Sequence, residues 1–291
     1  MFNFIKKYIL IFVVLCFLQS IFAQGEREFP FPYIPDMIVE PQQRASWLLS
    51  HYWDNVDFAN ANIVADTSFI EQSFVNFLSI IPIIEDAKAI ESGVKQLMDK
   101  AEIDIYLYRR FMFLAEKYLY EPNSPMVNDE YYIYFLQQIN SSSILSAVDK
   151  SRTEYLYKIV TKNRVGSQAV DFSFITSQKE LLTLYSIKAD ELILVFYDPE
   201  CEHCAEIINK LKDNVELNNK ILSGKTKVLA VYPDGDRILW EKSHHQMPNN
   251  WIIAFASSPI QPIGKYVFRA LPSIYVLDKN KKVIVKDITT L

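Results

Sequence analysis

Glycine is scarce, with six in 291 residues. Neither G-x-G-x-x-G nor G-x-x-x-x-G-K-[ST] occurs, so neither of the common glycine-rich phosphate cradles is present. Excess basic charge is missing too. The 30 Lys and Arg residues are outnumbered by 35 Asp and Glu, a net charge of -5. A protein that grips nucleic acid needs a basic face against phosphate, so nucleic acid is excluded as a general partner. Three cysteines are too few for a disulfide-stapled scaffold. The four histidines show no ligand spacing. What is plentiful is apolar surface. Hydrophobic residues make up 50% and charged residues 22%, enough for packed cores, and the length fits about two domains.

The first 23 residues read as a secretory signal peptide. Lys6 and Lys7 form a positive start, Tyr8 to Leu18 is an unbroken apolar run, and Ala23 offers the small residue needed before a cut at Gln24. Retention of the same stretch as an N-terminal anchor is the alternative. No later run is long and apolar enough to span a membrane. The expected location is therefore outside the cytoplasm. Cleavage removes Cys16 and both leader lysines. The mature chain then carries a net charge of -7 and keeps only Cys201 and Cys204.

Residues 24–41 carry four prolines and predict an extended lead-in. From 42 to 164 the apolar spacing is helical. Trp47, Leu48, Tyr52 and Val56 fit one face; Phe69, Phe74, Phe77, Leu78 and Ile81 fit another. Ile103, Leu107, Phe111, Leu114 and Tyr118 predict one long amphipathic helix. Breaks fall at Pro82, Pro122–Pro125 and Ser141–Ser143, which predicts five or six helices in an all-α domain. Its many aromatics, Tyr52, Trp53, Tyr106, Tyr108 and Tyr132 among them, are either core or a groove for an extended client or glycan.

At Val165 the pattern changes, and 165–291 predicts a second domain. Strands are expected at 171–175, 191–197, 227–232, 251–255 and 273–277, with a final hairpin through 283–285. Helices are expected at 180–187, 201–222, 237–246 and 263–268. Alternation of this kind predicts an α/β sheet covered by helices.

Cys201-Glu202-His203-Cys204 follows a buried strand and opens a helix. A helix start presents unpaired N–H groups and a positive dipole end, which favour a thiolate at Cys201. Cys204, one turn on, falls on the apolar face with Ile208 and Leu211 and should be shielded. Two thiols so placed can form a mixed disulfide with a client and then resolve it. His203 adds charge that favours the thiolate, and Glu202 opposes it.

These residues resemble the thioredoxin-like superfamily, in particular exported bacterial thiol–disulfide oxidoreductases. Val165-Gly-Ser-Gln-Ala-Val-Asp-Phe172 is similar to that branch's G-x-x-A-P-D-F opening, with Val170 at the usual proline. Leu192 to Cys204 resembles the strand–C-x-x-C–helix centre, and Ala270-Leu271-Pro272-Ser273 resembles the cis-proline loop. The resemblance implies an α/β thioredoxin-like fold, a mixed central sheet flanked by helices, preceded here by the all-α domain. It implies Cys201 and Cys204 as catalytic thiols, with His203, Glu202, Leu271 and a cis Pro272 in support. It implies no cofactor beyond a redox-active Cys201–Cys204 disulfide. Its partners would be exported proteins bearing thiols or disulfides and an envelope electron donor or acceptor. The helical half resembles a domain of unknown function that precedes such modules in some Gram-negative bacteria, and with the leader this implies the periplasm or cell envelope of a Gram-negative bacterium. Two departures stand out. Val195 replaces the buried Asp that thioredoxins place six residues before the first Cys, and Glu200 replaces the usual Trp. The chain also ends too soon after the hairpin for the usual last helix. Two further readings are a copper or zinc module using Cys201, His203 and Cys204, with His244 and His245, and a redox-degenerate scaffold.

Overall fold

The computed structural model describes residues 27–289 apart from 234, 262, 263 and 267; the predicted leader at 1–23 lies outside the described residues. The chain divides into two compact units, the first ending at Leu114 and the second running from Ala115 to Leu291.

The first unit holds α1 (Pro41–His51), α2 (Ala61–Ala65), α3 (Thr67–Ile80), α4 (Ala87–Ala101) and most of α5 (Ile105–Leu119). Pro41 opens α1 at a position whose N–H has no helical partner to lose. The side chains of Asn60, Asp66 and Asp86 each accept a first-turn N–H of the helix that follows. Tyr52, Trp53, Phe74, Phe77 and Phe111 are buried together, with Trp53 and Phe111 rings 5.5 Å apart. Those aromatics are therefore core, whereas Tyr106 is exposed. On α1 the buried residues are Ala45 and Leu49, and Trp47 and Leu48 are only half-buried. The helix stops at His51, so Tyr52 and Val56 enter the core from the turn beyond it rather than from the expected helical face.

The second unit begins with the end of α5 and contains α6 (Asp129–Ser141) and α7 (Ala147–Val160). Seven described helices thus precede the sheet where five or six were expected; the five-residue α2 is too short to show a period. Packing does not divide at the compositional change between Arg164 and Val165, because α6 and α7 share a unit with the sheet. Side chains near the chain's end reach them, as described below.

The sheet has seven strands in the order β2-β1-β5-β4-β3-β6-β7. They are β1 (Ser173–Thr176), β2 (Leu181–Thr183), β3 (Glu191–Phe196), β4 (Thr226–Tyr232), β5 (Ile252–Ala256), β6 (Ser273–Asp278) and β7 (Val283–Ile288). Strands β3, β4 and β5 run parallel, and β3–β6, β6–β7, β1–β5 and β1–β2 are antiparallel. This is the mixed sheet that the resemblance implies. Period-two alternation splits β3 cleanly: Leu192, Leu194 and Phe196 enter one core layer, and Ile193 and Val195 enter the other with Cys204, Ile207, Ile208 and Leu211. The second layer sits under α8 (Glu202–Asp213); α9 (Val215–Leu222) and α10 (Arg237–Ser243) complete the described helices.

Three expected helices differ. Residues 180–187 are not helical but form β2 and a single 3-10 turn, Leu184–Ser186, closed by reciprocal Thr183 and Ser186 hydrogen bonds. The segment 201–222 is two helices, because Asn214 ends the first and caps the second by accepting the Leu217 N–H. The described residues within 263–268 form a turn and bends, with Gly264 at φ 63. At Val170, the backbone N–H donates to Asn163 Oδ1 at 2.7 Å, a bond that the family's usual proline lacks.

Candidate active site

The buried strand β3 ends at Phe196, and Asp198-Pro199-Glu200 turns the chain into α8. Asp198 organises that turn: its Oδ1 accepts the Glu200 N–H at 2.8 Å and its carbonyl accepts the Cys201 N–H at 3.2 Å. Cys201 is the N-cap of α8, with extended backbone at φ -84 and ψ 109. Its Sγ accepts the Cys204 N–H at 3.1 Å, so the sulfur stands where an N-cap oxygen normally does. An anionic sulfur suits that place, because it meets an N–H and the positive end of the helix together.

The two thiols differ in environment. Cys201 is half-buried, less open than a helix-start position predicts, whereas Cys204 is 1% exposed and packed against the β3 layer. Burial, with Cys201 beside it, pushes the Cys204 thiol up to about 12 from its usual 9.0. Cys204 is therefore a protonated thiol at neutral pH.

The second wall is the loop before β6. The Leu271–Pro272 peptide is cis, and Cys201 Sγ lies 3.7 Å from the Leu271 carbonyl, with the thiol donating. Leu271 packs against both core layers and against Cys201's surroundings. The structure thus brings together Cys201, Cys204, Leu271 and Pro272. Glu202 and His203 stand on the exposed side of α8, and His203 Nδ1 lies 3.7 Å from Glu206 Oε2, one turn along. Val195 is fully buried in the Cys204 layer, so this position supplies no ionisable group.

Sequence reasoning missed what lies behind the loop. Arg269, Ser273, Lys286 and Asp287 join Asp129, the first residue of α6, in a buried network. The only available signal was the density of charges in an otherwise apolar hairpin.

For a metal, among the described residues there is no group of three or more His, Cys, Asp or Glu side chains able to hold an ion. His244 and His245 form a 3-10 turn after α10, with His244 against the Trp240 ring at 4.9 Å.

A parallel β3–β4–β5 core, an antiparallel β6–β7 hairpin, a C-x-x-C at the start of α8 and a cis proline facing it define a thioredoxin-like protein. A crystal structure of a thioredoxin-like protein from Bacteroides caccae is 33% identical, matches 91% of this chain and 96% of its own, and superposes with a TM-score of 0.84. The C-terminal domain of an uncharacterized protein from Bacteroides fragilis is 35% identical over 44% of this chain and 93% of its own, with a TM-score of 0.43. The thioredoxin domain of a thiol-disulfide oxidoreductase from Bacteroides vulgatus is 17% identical over 43% of this chain and 89% of its own, with a TM-score of 0.38. No curated protein matches the chain. The domain of unknown function DUF5106 matches residues 16–163, just over half of the chain. The chain therefore belongs to the thioredoxin-like superfamily, in a branch that carries DUF5106 at its N-terminal side.

Proposed function

We propose that the protein is a thiol–disulfide oxidoreductase acting on exported clients in the cell envelope of a Gram-negative bacterium. The observation that carries this reading is the inequality of the two thiols. Cys201 sits half-open at a helix start, and Cys204 sits buried one turn away.

In the reducing direction, the Cys201 thiolate attacks one sulfur of a client disulfide. A protein–client mixed disulfide forms, and the other client sulfur leaves as a thiolate and takes a proton. Cys204 then loses its proton and attacks Cys201 Sγ. The Cys201–Cys204 disulfide forms, the second client sulfur leaves, and two electrons have passed to the client. The oxidising direction is the same sequence reversed, with electrons delivered to an envelope acceptor. The helix-start N–H of Cys204 stabilises the Cys201 thiolate in both directions, because it already points at the sulfur. Holding Cys204 protonated keeps it from competing for the client until the mixed disulfide has formed.

The test is to equilibrate the mature protein with reduced and oxidised glutathione and count free thiols. A single two-electron transition that both Cys201→Ser and Cys204→Ser abolish supports exchange. A Cys204→Ser protein that accumulates no mixed disulfide with a disulfide peptide contradicts it.

A further inference from the structure

The loop facing the thiols is held from behind by a network whose members are far apart in sequence. The Arg269 guanidinium donates from Nη1 to Asp129 Oδ1 at 2.9 Å and from Nε to Asp287 Oδ2 at 2.7 Å, and its face lies over the Tyr120 ring at 5.4 Å. Asp287 spans the loop, because its other oxygen accepts the Ser273 hydroxyl at 2.7 Å. One carboxylate thus grips residues on both sides of Leu271-Pro272. Lys286 Nζ completes the group, 2.7 Å from Asp129 Oδ2 and donating to the Val160 carbonyl at 2.8 Å. The four charged side chains are 6–11% exposed and balance in sign.

Two features mark this as more than a fortuitous ion pair. Asp287 has a φ of 48, uncommon for a residue other than glycine, within a hairpin whose register shifts between Ile274 and Val276. The chain adopts that conformation where the side chain must turn back to the loop. Second, three of the four charges belong to β7 or the loop, and the fourth opens α6, so a helix in the DUF5106 region touches the wall of the thiol site.

We propose that Arg269 is a positioning residue: clamped by Asp129 and Asp287, it sets where the Leu271 carbonyl stands against Cys201 Sγ, and α6 thereby tunes the thiol pair. This rests on the exchange reading above. The carbonyl accepts a hydrogen bond from the thiol and has none to accept from the thiolate. Held there, the carbonyl stabilises the reduced thiol by that one hydrogen bond, and loosening the clamp removes it and frees the sulfur.

The experiment compares the mature chain with Asp129→Asn, with Arg269→Lys, and with the charge-balanced pair Asp129→Asn/Lys286→Met in case the single changes do not fold. Glu130→Gln, next along the helix and paired with Arg164, is the control. Two readouts are taken on protein shown to be folded by circular dichroism: the iodoacetamide rate at Cys201 at pH 7, and the glutathione equilibrium of the thiol pair. The expected result is alkylation about threefold faster or more, the size of one modest hydrogen bond, with the equilibrium moved by a like factor toward the disulfide. The control should match the parent in both. Parent-like rates and equilibrium in every folded clamp variant, with only the urea midpoint lowered, would reduce Arg269 to a structural role and overturn the proposal. Alkylation requires no exchange. Failure of the parent to equilibrate with glutathione would count against the exchange reading alone, while the Cys201 rates still decide the clamp.

Discussion

The two walls of the thiol site are built in opposite ways. The α8 wall is local: Asp198, Cys201 and Cys204 lie within seven consecutive residues, and their hydrogen bonds are a turn and a helix cap. The opposite wall is assembled from residues 129, 269, 273, 286 and 287, joined through buried charge. The first wall carries both sulfurs and depends on backbone geometry. The second carries a single carbonyl to the sulfur and depends on side chains that only the finished fold brings together. A local wall survives changes elsewhere in the chain; a wall held by a distant clamp transmits them.

The largest effect should come from the local wall. Cys201→Ser should abolish exchange with glutathione and with an insulin disulfide, since Cys204, the other described thiol, is buried. Cys204→Ser should instead halt at the mixed disulfide, visible as a covalent client adduct on a non-reducing gel.

Breaking the distant wall should be costly in stability. Arg269→Ala leaves Asp287 buried without its cation and Asp129 with Lys286 only. Leaving such a charge uncompensated costs about 3–5 kcal/mol, measured as a fall in the urea unfolding free energy. A loss below about 1 kcal/mol would mean that the network opens to water and is no clamp.

The pH response separates the thiols. Cys204 has its folded value raised by burial, so its contribution to stability is fully present below the ordinary thiol value of 9.0 and is lost as pH rises toward about 12. Reduced protein should therefore lose more stability between those two pH values than its Cys204→Ala variant does. Equal alkaline losses would place Cys204 in contact with solvent.

The smallest effect sharpens the comparison by its absence. Arg164 and Glu130 pair on the surface beside the clamp, at 45% and 40% side-chain exposure. Glu130→Gln should change stability by less than about 1 kcal/mol, as exposed pairs do.

The legibility of the sequence follows the same division. β3 and β4 were readable because five contiguous apolar residues in each, Leu192 to Phe196 and Val228 to Tyr232, are buried on both faces and such a run has few other uses. The C-x-x-C was readable because strand, turn and helix are adjacent in the chain. β2 was not, since Leu181 is exposed and three residues at a sheet edge carry no pattern. Nor was the break at Asn214, where one side chain outweighs the helical spacing on either side of it. The Arg269 clamp was invisible for a different reason. Arg269 meets Asp129 across 140 positions, and nothing local to Asp129 sets it apart from the exposed acid beside it. Packing likewise joins α6 and α7 to the sheet although composition changes only at Val165.

The central claim is that one thiol is poised and the other held in reserve. The most direct measurement is to treat fully reduced protein with a single equivalent of iodoacetamide at pH 7 and map the label by mass spectrometry. The structure predicts nearly all label on Cys201, with Cys204 modified only after unfolding. Equal labelling of the two cysteines, or preference for Cys204, would contradict the account and leave the pair as a structural element of the fold.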